Sequence, residues 1–150
     1  MIDTKISSEL LFSKTVVIHA LSSEVWQALT NPELMKQWMA EEEITIITHW
    51  KVGAPILIKG EGHWVYFENK GIVLQYEPEK VLQYSHLSSL SKLPDTAENY
   101  SLIKFNLVPT ENQTTLTLSL GNFPTESIYK HLAFYWNITL NLLKEFIEKP

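Results

Sequence analysis

The sequence contains no cysteine, no arginine, only five glycines in 150 residues, and no apolar run of membrane-spanning length. Each shortage removes a class of explanation. Without cysteine there can be no disulfide, no thiolate nucleophile and no Cys-ligated zinc. All twelve basic residues are lysine, so planar two-pronged recognition of phosphate or carboxylate has no guanidinium to use. The formal net charge of −5 opposes a nucleic-acid role, which asks for a concentrated basic face. No segment approaches the ~20 consecutive apolar residues of a membrane-crossing helix. The opening MIDTKISSELLF lacks the basic start and long apolar run of a secretory signal. The expectation is a cytoplasmic protein, in which the sequons at Asn112 and Asn137 carry no glycan.

What is present suits one folded domain over residues 1–150. Hydrophobic residues make up 45% and charged residues 19%, a balance that can bury a sizeable core. Leu11 to Leu21 is rich in β-branched residues and predicts a strand. Two short helices follow, the first capped by Ser22 or Ser23, the second by Thr30 or Asn31 with Pro32 in its first turn. Alternation then takes over from Ile44. Strands are predicted from Pro55 to Gly62, through Trp64–Phe67 and Gly71–Tyr76 (two arms around ENKG, or one bulged strand), and from Val81 to Leu87. Residues 88–99 have the composition of a loop. YSLIKFNLVP and TTLTLSLGNF form a hairpin around TENQ, and a long helix runs from about Glu126 to Glu148. An antiparallel sheet must bury one face, and this helix is the one element large enough to cover it. The fold class is α+β.

TVVIHALSSEVWQALTNPELMKQWM resembles the opening signature of the START-like (SRPBCC, helix-grip) superfamily, in the branch related to the C-terminal domain of the activator of Hsp90 ATPase. The resemblance rests on Ile18, Ala20, Val25, Trp26, Ala28, Leu29, Thr30, Pro32, Glu33 and Trp38, with Gly71, Val73, Pro78 and Leu82 matching the middle hairpin. It implies a curved antiparallel sheet with two short helices, wrapped around a long C-terminal helix with an apolar cavity between them. The chain departs from the pattern after the last strand, which reads LSLGNFP, and in the final helix, where Tyr135–Trp136 stands in place of a Gly-Trp.

The final helix has an apolar arc broader than the ~100° needed for one packed face. Ile128, Tyr129, Leu132, Trp136, Thr139, Leu140, Leu143, Phe146 and Ile147 fall on it, with Tyr135 and Leu142 extending one side. Packing is the simpler account of such an arc; lining of a ligand cavity by part of it is the functional one, suited by its aromatic content. The candidate ligand-binding residues are Trp64, Tyr66, Tyr84, Tyr135, Trp136, Thr139 and Leu143. Phe134 and Ile138 project elsewhere, one turn apart, and are candidates for a weak homodimer contact.

Catalytic signals are sparse. No HExxH, GxSxG or GxGxxG occurs in the sequence. Glu61 shares strand parity with His63, and His86 lies on another strand, so these three are the acid–base candidates. A zinc site built from them is set aside, and neither a metal nor a cofactor is expected. The leading expectation is a binding module for an apolar or amphipathic small molecule of unspecified identity. The alternatives are a cyclase- or hydrolase-type enzyme using Glu61, His63 or His86, and a protein-interaction or chaperone co-factor role.

Overall fold

The computed structural model describes residues 10–62 and 65–149. Its strands are β1 (Phe12–Ile18), β2 (Ile44–Thr48), β3 (Pro55–Gly62), β4 (Val65–Glu77), β5 (Val81–Ser88), β6 (Ser101–Thr110) and β7 (Gln113–Gly121). They form one antiparallel sheet in the order β1-β7-β6-β5-β4-β3-β2. From β2 to β7 each strand pairs with its sequence neighbour. The helices α1 (Ser22–Thr30) and α2 (Pro32–Trp38) carry the chain from one sheet edge to the other. The sheet curves around α3 (Glu126–Glu148), which gives the helix-grip architecture.

The period-two pattern decides which face meets the helix. Ile103, Phe105 and Leu107 on β6 and Leu116, Leu118 and Leu120 on β7 are all buried. From α3, Leu132, Trp136, Leu140 and Leu143 enter the same core. Each such side chain contributes about 1.5–3 kcal/mol by leaving water. Phe105 meets Trp136 edge-on, with ring centroids 5.5 Å apart, and Trp38 of α2 approaches Trp136 at 6.2 Å. The short helices are therefore anchored to α3 as well as to the sheet.

Polar contacts fix the remaining freedom. Asn31 caps α2, its Oδ1 accepting from Glu33 N at 3.0 Å, and Pro32 occupies the first turn. The residue before α1 is Leu21, without a side-chain cap. Ser22, expected as a cap, is buried and shares a 3.0 Å hydrogen bond with Thr114 instead. A seam joins α3 to β1: Lys144 Nζ donates to Val17 O at 2.7 Å, and His19 N donates to Glu148 Oε2 at 2.7 Å.

Three features differ from the sequence reading or resolve its alternatives. ENKG does not turn the chain; β4 runs through it as one strand, with a register shift between Val73 and Gln75. The 88–99 loop holds two single-turn 3-10 segments, Ser89–Ser91 and Ala97–Asn99. Leu142, expected on the apolar arc, is 45% exposed and continues the outward ridge of Phe134 and Ile138.

Candidate functional site

Between the sheet and α3 the packing leaves a cavity of about 220 Å³. Its apolar walls come from Ile44, Ile58, Phe67, Ile103, Leu132 and Trp136. A side chain at Gly71 would place its Cβ 1.7 Å from the Ser85 carbonyl oxygen, so β4 and β5 approach there with no room for more than hydrogen. The next inward residue on β4 toward the cavity is Asn69, opposite Ser88 of β5. His86 lies opposite Ser101 of β6, and Tyr84 opposite Ile103. Asn69, Ser88, His86 and Tyr84 thus bring polar groups to one stretch of an otherwise apolar wall. Leu90 and His131, both exposed, stand at its rim.

The electrostatics follow from burial. Loss of water lowers the His86 pKa from 6.5 to about 4, with the neighbouring His131 acting in the same direction, so the imidazole is neutral at physiological pH. A neutral imidazole offers one donor and one acceptor. Burial also raises the Tyr84 phenol, with Tyr135 adding to the effect. Tyr135 is raised to about 12, chiefly by burial, with the Thr139 hydroxyl opposing and Glu42 adding. Its hydroxyl donates to Met39 O, which ties α3 to the end of α2. Asn69 Oδ1 is buried with no hydrogen-bond partner among the described residues.

The structure brings together only part of the residue set proposed from sequence. Tyr84, Tyr135, Trp136 and His86 line the cavity. Thr139 is buried on α3 but borders a surface groove near α2 rather than the cavity, and Leu143 is wholly inside the packed core. Tyr66 is on the other face of the sheet, 53% exposed, and its hydroxyl donates to Glu68 at 2.8 Å. Glu61 pairs with Tyr66 across the β3–β4 ladder and shares that outer face in a shallow cleft with Lys59 and Thr45. Glu61 and His86 therefore cannot act on one bound molecule. His63 and Trp64 lie outside the described residues. Among the described residues, no group of three or more His, Asp or Glu side chains could hold a metal ion.

Several lining residues escaped the sequence reading. Asn69 lies in ENKG, whose composition signals a turn, and only its pairing with Ser88 turns it inward. Glu42 and Met39 come from the α2–β2 connection, where no periodicity assigns a face. His131 was legible only as a polar interruption of the helix.

The family of Activator of Hsp90 ATPase homolog 1-like proteins matches residues 19–148. A solved protein from Cytophaga hutchinsonii is 36% identical, covering 95% of this chain and 97% of its own, with a TM-score of 0.79. A protein from Nitrosomonas europaea is 23% identical over 97% of this chain and 99% of its own, with a TM-score of 0.76. The Aha1 dimer from Colwellia psychrerythraea is 22% identical over 93% and 97% respectively, with a TM-score of 0.72. At the last two identities the likeness is one of fold. A search of curated proteins finds no match.

Proposed function

We propose that this chain, which belongs to the Activator of Hsp90 ATPase homolog 1-like family, binds a small apolar or amphipathic molecule in the cavity between the sheet and α3. The observation that carries this reading is the cavity itself: apolar walls, a few convergent polar groups and a neutral, half-buried histidine. Its size, about 220 Å³, is below the ~300–1,000 Å³ of pockets for drug-sized ligands, so the molecule is small. Native mass spectrometry of protein purified from its own host tests the reading. The expected outcome is an adduct of small-molecule mass that organic extraction removes; repeated recovery of bare protein would count against it.

The acid–base alternative draws no comparable support, because Glu61 is turned away from the cavity that His86 lines. A second reading has its own observation. Phe134 is 70% exposed and adjoins Ile138 and Leu142, each 45% exposed, along one ridge of α3. The Colwellia relative is a dimer. We carry weak self-association to this chain, with Phe134 and Ile138 at the contact.

A further inference from the structure

The geometry points to a ligand of one chemical class: an uncharged molecule with an apolar body and a terminal O–H or N–H donor, the donor seated on Asn69 Oδ1. This deepens the binding reading above and rests on it.

The polar stretch of the wall is specific in what it asks for. Asn69 Oδ1 is a buried acceptor without a partner among the described residues. Its strand neighbour makes no hydrogen bond to it: Ser88 Oγ takes the Leu90 N–H at 3.2 Å, and Asn69 Oδ1 stays unpaired. A buried amide oxygen left unpaired is costly, and a ligand O–H or N–H arriving there would remove that cost. With the amide in this orientation, a ligand offering only an acceptor at that end would set two lone pairs against each other.

Charge is disfavoured in both directions. Among the described lining residues there is no lysine, and the one carboxylate is Glu42. A carboxylate ligand would find no lysine and would approach the like charge of Glu42, with the rim residue His131 the one basic group able to offset it. It would also meet His86, which burial holds in its neutral form. A cationic ligand would have to lose its water against Ile44, Ile58, Phe67 and Trp136, and desolvating an ion demands a close counter-charge. Glu42 is the sole described candidate, and it lies on the α2–β2 connection rather than on the β4–β5 wall that carries Asn69 and His86. The cavity therefore favours a neutral molecule.

Four probes with one aromatic body separate these statements: 2-naphthol (neutral, donor), 2-methoxynaphthalene (neutral, no donor), 2-naphthoate (anion) and 2-naphthylmethylammonium (cation). Each is titrated into the full chain near neutral pH by calorimetry. The expected order places 2-naphthol first, with 2-methoxynaphthalene weaker by roughly tenfold, the gain of one buried hydrogen bond. Both ions bind more weakly still. In Asn69→Leu the naphthol and its methyl ether should bind alike. Equal affinity of those two for the unaltered protein would overturn the donor assignment, and an ion binding as tightly as naphthol would overturn the charge assignment; either result leaves the binding reading standing. Failure of all four to bind at their solubility limits would instead remove the binding reading. The comparison on the unaltered chain needs no variant to fold.

Discussion

His86 is held neutral by the same enclosure that makes the cavity apolar, and this has a consequence for stability. In the unfolded chain the imidazole takes a proton near 6.5; in the folded chain it does so only near 4. Between those values the unfolded state binds more protons, so acid favours unfolding. The folded pKa is the depressed one: the contribution is intact above about 6.5, declines as pH falls, and is fully lost below about 4. The size is on the order of 3 kcal/mol. Urea unfolding of the wild type and His86→Phe at a series of pH values is the measurement. The wild type should lose about 3 kcal/mol more than the variant across this window, and parallel curves would rule the account out. Glu148 is shifted by a different cause, since the His19 N–H and then Lys144 stabilise its carboxylate and lower its pKa. Its stabilisation is present above the ordinary carboxylate range and is lost at more acid pH than that of His86.

At the scale of elements, the 89–99 segment is held against β4 by a small polar cluster. Lys70 of β4 pairs with Asp95, and Tyr100 donates to Asp95 at 2.6 Å. Those contacts hold Asp95 below its usual carboxylate pKa, Lys70 being the larger cause. All three side chains are near the surface, and exposed pairs of this kind add little to global stability. Removing the carboxylate should therefore act locally. In Asp95→Ala, amide hydrogen exchange across 89–99 should accelerate while the melting temperature stays within about 2 °C. A global destabilisation with unchanged local exchange would show the loop to be part of the core. Leu90, at the cavity rim, belongs to this segment, so the cluster also sets how firmly the rim is held.

Element scale is also where the sequence was most and least informative. Helical phase depends only on local geometry, so Trp136 could be turned inward and Phe134 outward from the 3.6-residue period alone. Alternation on β6 and β7 was equally clear. Tyr66 and Glu61 illustrate the opposite case. A one-residue change of register between β3 and β4 reverses every side chain of the shifted strand, and composition does not fix that register. Thr139 and Leu143 lie off the cavity for another reason. They do lie on the buried arc, but where a sheet and helix leave a gap depends on non-local packing, which no local pattern reports. Asn69 combined both difficulties.

Across the whole molecule, the ridge of Phe134, Ile138 and Leu142 is the apolar surface most clearly separated from the core on α3. Sedimentation from about 10 µM to several hundred micromolar should show a rising average mass, and Phe134→Lys should abolish the rise while leaving the fold intact. A constant monomer mass over that range would remove the self-association reading.

The place of α3 in chain order bears on how the protein is made. Synthesis delivers the sheet first, with Leu116, Leu118, Leu120 and their neighbours finished before the element that covers them. Until α3 emerges, the nascent chain displays a broad greasy concavity that only the two short helices cover in part, the kind of surface on which misassembly begins. The Lys144 and Glu148 contacts to β1 then join the first strand to the closing turns of the last helix. Completion is thereby made to depend on the two most widely separated parts of the fold, and a ribosome that stalls before residue 126 releases a sheet with nothing to hold.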